Sequence, residues 1–190
     1  MTQAFFTEPY MRWVIPEDAL WEKKAHWLYT RILRLCVGRV RLYEGRERLG
    51  LGTMYPPGVS PFYSFFKQLQ VGLLVAPFRV GWKETGRLTR LAEGVNRLHK
   101  MVRTDAHWYL DYAGVVPSAQ GQGIGSELVR QRLRDVDAAG QPCYVMTAQP
   151  ALPPRYAQFG FEVLHEGPVC DDGPKNWLLH REARPKPQPA

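Results

Sequence analysis

The sequence contains no uninterrupted apolar run approaching the ~18 residues that a membrane-spanning helix needs. Residues 1–6 lack the basic-then-apolar order of a secretory signal. Cysteine is scarce: Cys36, Cys143 and Cys170 are odd in number and widely scattered, so they form neither a disulfide framework nor a CxxC metal site. That usage points to a reducing cytoplasm. His26, His99, His165 and His180 show no metal-ligand spacing, and no metal is expected. Runs of basic residues are missing too. The net charge is +7, yet Arg31, Arg34, Arg39, Arg41, Arg46, Arg48, Arg87, Arg90 and Arg97 are dispersed singly. This pattern fits solvated helix faces and a field acting on a small polyanion better than a nucleic-acid surface. What remains is an ordinary globular composition, 45% hydrophobic and 23% charged over 190 residues, enough for one domain and one core. Seventeen glycines and sixteen prolines predict many turns.

No internal repeat is present, and residues 1–181 read as a single domain in two halves, 1–105 and 106–181. The polar, Pro-rich residues 182–190 (EARPKPQPA) cannot bury anything and are expected to be disordered. In the first half, a helix starts at Pro16-Glu17-Asp18, carries Trp21, Ala25, Leu28, Ile32 and Leu35 on one face, and ends at Gly38. Residues 39–44 and 49–55 read as a hairpin turned at Gly45. Residues 62–74 are predicted helical. A second stripe of Leu88, Leu91, Ala92, Val95 and Leu98 marks another helix. In the second half, residues 107–116 form a strand, 126–136 a helix and 143–147 a buried strand. A helical turn holds Tyr156, and strands come after it at 161–165 and 177–179. A right-handed crossover makes the strands at 107–116 and 143–147 parallel.

Between the first of these strands and the helix lies Gln120-Gly121-Gln122-Gly123-Ile124-Gly125-Ser126. Three alternating glycines allow φ > 0 and let successive N–H groups face one concavity, because no Cβ obstructs the approach. The helix after the loop adds the positive end of its dipole, which suits a pyrophosphate. A Walker A loop is excluded because the glycines lead into no lysine. A dinucleotide fingerprint fails at Ser126, where its third glycine would stand. Q/RxxGxG is satisfied by Gln120, Gly123 and Gly125. A glycine-rich turn without a ligand is the plainer alternative.

"GVVPSAQGQGIGSELV" (114–129) resembles the fourth strand, pyrophosphate loop and third helix of the GNAT N-acetyltransferases. "YAQFGFEV" (156–163) and "GPKNWLLHRE" resemble two of their later segments, and "HWYLDYAGV", "AQPALPPRY" and the helical first half resemble the puromycin N-acetyltransferase branch. The resemblance implies an α/β fold: a central, mostly antiparallel mixed sheet with helices on both faces. Residues 5–18 resemble the stretch that relatives carry after their first strand and first helix, so the first edge strand is expected to be missing. The backbone edge this exposes could associate, making a homodimer possible.

The resemblance further implies acetyl-CoA as cosubstrate, an amine acceptor and no nucleic-acid or membrane partner. Residues 106–181 would bind the cofactor and 1–105 the acceptor. The Val115 N–H would hold the thioester carbonyl, Val116 would pair with the pantetheine arm, and the N–H groups of Gln120, Gly121, Gln122, Gly123, Ile124, Gly125 and Ser126 would wrap the pyrophosphate. Tyr156 matches the tyrosine near the CoA sulfur and is its expected acid. The plainer alternative for it is a core tyrosine packed by Phe159 and Phe161. Strand alternation places Tyr109, Asp111, Ala113 and Val115 on one face, with Asp111 the only carboxylate and the expected base. His107 is a second base candidate, while the buried Cys143 is not expected to act as a nucleophile. Trp13, Trp21, Trp27, Phe62, Phe65 and Phe66 could line an acceptor pocket or simply pack helices. Two positions depart from the family: Leu152 stands where an asparagine is common, and Met146-Thr147 where many relatives have Glu-Thr. Acetylation of a small-molecule primary amine is the leading reading. The alternatives are a protein N-acetyltransferase and a non-catalytic CoA-binding module.

Overall fold

A computed structural model describes residues 2–61, 65–101 and 106–184. Phe62 and residues 185–190 of the expected tail lie outside them. The first half consists of α1 (Pro9–Val14), α2 (Asp18–Cys36), β1 (Arg41–Glu44), β2 (Gly50–Tyr55), α3 (Phe65–Gln70), α4 (Ala76–Arg79) and α5 (Trp82–Met101). The second half comprises β3 (Trp108–Val115), α6 (Ile124–Ala139), β4 (Cys143–Thr147), α7 (Leu152–Ala157), β5 (Glu162–Pro168) and β6 (Lys175–Arg181). The strands form one six-stranded sheet in the order β1-β2-β3-β4-β6-β5. Only β3 and β4 are parallel, as the crossover through α6 requires.

The expected helix over 62–74 is shorter than its pattern suggested. α3 ends at Gln70, and Gly72 at φ 75 turns the chain left-handed before a single 3-10 turn, Leu73–Val75. A left-handed residue cannot continue an α-helix, so the aromatic run is divided there.

Among the described residues no strand precedes β1, which is an outer strand of the sheet. The N-terminal segment covers the sheet face instead. α1 begins at Pro9, and the Glu8 carboxylate accepts the Met11 N–H at 2.9 Å, capping the helix. Phe5 packs between Tyr29 and Tyr112, with ring centroids 5.4 and 5.9 Å away. It occupies the space that a side chain at Gly114 would need, since a Cβ there would lie 2.7 Å from the Phe5 ring.

Helices cover both faces. On one, α1, α2, α4 and α5 bury Trp21, Leu28, Tyr29, Leu91 and Leu98, beside a tyrosine layer of Tyr55, Tyr109 and Tyr144. On the other, α6 and α7 bury Val129, Leu133, Val136 and Tyr156 against Met54, Leu110 and Val145. Lys24 with Glu84 joins α2 to α5 within one helical layer at 2.5 Å, and Arg181 with Asp137 ties β6 of the sheet to α6 at 2.7 Å.

α5 reaches the connection between β5 and β6 through Gly94, where an added Cβ would lie 2.0 Å from the Val169 carbonyl oxygen. The clash would be with backbone, which cannot rotate away. Gly94→Ala should therefore lower stability by roughly 1–3 kcal/mol, the usual cost of overpacking. Denaturant unfolding reads this as a lower midpoint. A folded variant with the wild-type midpoint would show that α5 does not press on Val169.

Candidate active site

β3 and β4 pair only at Trp108↔Cys143, Tyr109↔Tyr144 and Leu110↔Val145. Among the described residues, β3 then runs on to Val115 with no strand on that side, while β4 stays with β6 through Thr147. The divergence begins at a bulge. β2 pairs with β3 at Met54↔Leu110 and next at Gly52↔Ala113, so Thr53 faces two residues, Asp111 and Tyr112. A bulge bends and twists the strand that carries the extra residue. The Thr53 hydroxyl fixes it by accepting the Tyr112 N–H at 3.1 Å. Ala113, at the centre of a six-stranded sheet, is consequently exposed.

The bulge corrects the expected alternation. Tyr109 lies in the tyrosine layer, and Tyr112 packs on Phe5 and Tyr29 on that same side. Val115 faces the opposite side, against Ile124 and Leu128 of α6. Ala113 pairs with Gly52, whose missing side chain would point at Arg132 of α6. Tyr109, Ala113 and Val115 therefore do not share one face, because the extra residue shifts the two-residue period by one.

Val116 is bonded within the fold. Its N–H donates to the Leu49 carbonyl at 2.9 Å and its carbonyl accepts the Ala119 N–H at 2.9 Å, so neither group is available to a pantetheine arm. Alternation along an antiparallel strand then turns the N–H and C=O groups of Ala113 and Val115 the other way, into the opening. The Val115 carbonyl there accepts Gln120 Nε2 at 3.2 Å, which ties the glycine loop to the end of β3.

The loop has the left-handed residues its glycines allow: Gly121 at φ 81 and Gly123 at φ 82, the latter capping α6. No atom lies within 4 Å of the Cβ position of either residue, so the concavity is open. The first helical hydrogen bond runs from Glu127 N–H to the Gly123 carbonyl at 3.0 Å, leaving the preceding amides of Ile124, Gly125 and Ser126 as unsatisfied donors at the helix start. α6 is held in place by Ile124, which sits in a notch made by two hairpin glycines. A Cβ at Gly45 or Gly50 would come within 2.6 or 2.9 Å of it. An open cradle of amides continuing into an unpaired strand suits a pyrophosphate with an extended amide-bearing arm behind it.

A sequence model of the acetyltransferase (GNAT) domain matches residues 81–176, just over half of the chain. The chain belongs to this family. It is an acetyltransferase of the GNAT type, and the fold agrees. A crystal structure described as histone acetyltransferase HPA2 and related acetyltransferase, from Corynebacterium glutamicum, is similar at TM-score 0.64 and 18% identity, over 100% of this chain and 88% of that one. Naa50 of Arabidopsis thaliana, in complex with the bisubstrate analogue CoA-Ac-MVNAL, gives TM-score 0.35 and 20% identity over 40% of this chain and 54% of that one. The ribosomal-protein-S18-alanine N-acetyltransferase of Escherichia coli gives 0.37 and 17% over 44% and 59%. This chain thus spans little more than half the length of these two proteins.

Within the GNAT domain, burial pushes the Asp111 carboxyl up to about 7, with the Tyr112 N–H, the charge of Arg132 and the Thr53 hydroxyl opposing the rise. Tyr156 is buried, with its ring edge-on to Phe161 at 5.3 Å, and burial raises its phenol so that it stays protonated at neutral pH. It packs as a core tyrosine, with its hydroxyl under the influence of Arg132. Burial likewise raises the Cys143 thiol, as suits a residue not expected to be a nucleophile. His107 stacks between His99 and Tyr144 at the start of β3, away from the opening. Leu152 packs on the α6–α7 core, and Thr147 ends β4 by accepting the Gln149 N–H at 3.1 Å. Trp21 is buried, and Trp13 and Trp27 pack beside it under Arg90 and Arg31. Phe66 is exposed; the Phe65 side chain lies outside the described residues.

Several polar groups were not picked out from the sequence pattern. Burial pushes Glu8 up to about 7 against the Met11 and Tyr10 N–H groups. Tyr10 donates its hydroxyl to fully buried Asn176 on β6. Arg132 is fully buried on α6. Only its position on the apolar stripe, four residues after Leu128, could have drawn notice.

A carboxyl near 4 when unfolded and near 7 when folded binds more protons in the native state across that interval, so stability falls as pH rises from about 4 to about 7. Asp111→Asn should flatten this slope and stabilise the protein more at pH 8 than at pH 4. Glu8 retains its own share of the slope. Unfolding free energies across this pH range provide the check; a slope identical to wild type would mean the Asp111 carboxyl is hydrated.

Proposed function

We propose that this GNAT protein transfers an acetyl group from acetyl-CoA to a primary amine of a small molecule by direct attack, without an acyl-enzyme. The supporting observation is the opening between β3 and β4, which runs unbroken from the glycine loop to Asp111. Acetyl-CoA, when bound, supplies the activated thioester. The Gln120 N–H donates to the Pro117 carbonyl, leaving the amides of Gly121 through Ser126 to hold the pyrophosphate. With Val116 committed to Leu49 and Ala119, the thioester carbonyl and the arm behind it are left to the amides of Val115 and Ala113. A fixed N–H aimed at developing negative charge lowers such a barrier by about 3 kcal/mol.

Asp111 takes the proton that a cationic amine must lose before it can attack, and its carboxyl near 7 matches that task at neutral pH. Tyr156, kept protonated by burial, donates to the departing thiolate. The small-molecule acceptor is favoured by the aromatic wall of Phe5, Tyr29 and Tyr112 that the N-terminal segment builds over this part of the sheet. It covers the sheet face where an extended peptide would need an open groove. Three buried cysteines outside any disulfide suit the cytoplasm.

Two variants test the assignment. Gly123→Val puts a branched residue at φ 82 and a side chain in the open cradle, so acetyl-CoA binding should be lost in calorimetric titration. Unchanged affinity in a folded variant would remove the basis of the cofactor site. Tyr156→Phe keeps the ring and deletes the donor. With an amine identified by thiol release, kcat should fall about 10- to 1000-fold while acetyl-CoA affinity is kept. Full turnover would leave Tyr156 as packing alone.

A further inference from the structure

Arg132 interrupts the apolar stripe by which α6 faces the sheet, between Leu128 and Val136 and beside Val129 and Leu133, and it is fully enclosed. Its Nε donates to the Leu128 carbonyl at 3.2 Å and one Nη to the Thr53 carbonyl at 3.3 Å. The guanidinium is also hydrogen-bonded to the Tyr156 phenol oxygen. A guanidinium cannot shed its charge, and a buried charge lacking a bonded anion is costly. Its space is provided for: a Cβ on Gly52 would lie 3.4 Å from the Arg132 Nε and 3.5 Å from its Cζ, so β2 has no side chain where the guanidinium lies.

Thr53 connects this cation to the opening. Its carbonyl accepts from Arg132, while its hydroxyl accepts the Tyr112 N–H and is hydrogen-bonded to the Asp111 carboxylate. Arg132 also acts electrostatically on Tyr156 and on Cys143. Among the described residues, Tyr109 on the same strand is also coupled to Asp111; His99 of α5 packs against Tyr109, and Tyr10 of α1, beside Glu8, acts on it. Tyr10, Tyr109, Cys143 and Tyr156 are all raised by burial and stay neutral at pH 7, so the cation balancing Asp111 is Arg132.

Resting on the acetyl-transfer reading above, we propose that Arg132 is a positioning residue: through Thr53 it holds the Asp111 bulge in place and supplies the charge that keeps the Asp111 carboxylate available as a base. It touches neither the cofactor nor the acceptor.

The test is an NMR titration of carbon-13-labelled aspartate in the ligand-free protein, with the Asp111 signal assigned by its loss in Asp111→Asn. Arg132→Met should weaken the acidity of Asp111 about tenfold or more, the effect expected for removing a nearby opposite charge. Arg132→Lys should stay within about threefold of wild type, because the charge is kept. Gly52→Val, whose two methyl groups reach past a Cβ that already lies in van der Waals contact with the guanidinium, crowds Arg132 without altering any charge; it should move Asp111 in the same direction by less, and it carries the test if Arg132→Met does not fold. An amine found by thiol release gives a second readout: in Arg132→Met the acid limb of kcat/KM should move to higher pH, with the KM for acetyl-CoA unchanged. An unmoved Asp111 in folded Arg132→Met or Gly52→Val would overturn the proposal, as would Arg132→Lys behaving like Arg132→Met. A shifted Asp111 in a protein that turns over no amine would keep the Arg132–Asp111 coupling and overturn its catalytic use.

Discussion

Because Thr53 faces both Asp111 and Tyr112, β3 turns away from β4 after three paired residues and the sheet opens at its centre. Backbone amides and carbonyls in the middle of a sheet are normally paired, and leaving them without a partner away from water is costly. Ala113 and Val115 escape that cost only because the opening reaches solvent, as the exposure of Ala113 shows. An extended chain with its own amides can complete the missing ladder there, which is how a single inserted residue turns a packing sheet into a binding surface.

The elements around the opening keep it from closing. Ile124 locks the start of α6 into the notch of Gly45 and Gly50, so the loop amides stay aligned with the end of β3, and Gln120 reaches back to Val115. On the opposite face Phe5 fills the space left by Gly114 and braces Tyr112. Rigid support on both sides fits a site that must hold its donors in place before a ligand arrives.

The strand–helix order, the parallel pair and the loop were legible because they rest on local signals: period-2 and period-3.6 apolar spacing, and glycines where φ > 0 is needed. The bulge was not legible. It depends on Thr53, nearly sixty residues before Asp111, and period-2 counting along β3 has no way to register a residue added relative to a partner strand. The pairing of Val116 was hidden for the same reason, since which side its amide faces is set by Leu49, the residue before β2. Arg132 was hidden differently: an arginine next to an apolar stripe reads as a solvated flank until Gly52 on another element shows where its space comes from. The Glu8 cap does carry a local signal, Glu-Pro at a helix start, but α1 is too short for apolar spacing to mark it.

The excess positive charge takes its meaning from where the arginines go. Arg12 lies over Trp21, Arg31 over Trp27, Arg41 over Trp108 and Arg90 over Trp13, so much of the cationic surface also serves as packing. Arg41 and Arg90 are at the same time paired with Asp135 and Asp172. The glycine loop contains no charged side chain, and its first residue is neutral Gln120. On the proposed reading, recognition of a polyanion there would come from oriented backbone dipoles, which are fixed by the fold, while the dispersed charge would raise the local anion concentration at long range. Among the described residues two arginines are buried: Arg181, paired with Asp137, and Arg132, which has a task of its own. Arg132 is beyond the reach of salt and solvent, so its influence on Asp111 persists at ionic strengths that screen the surface field.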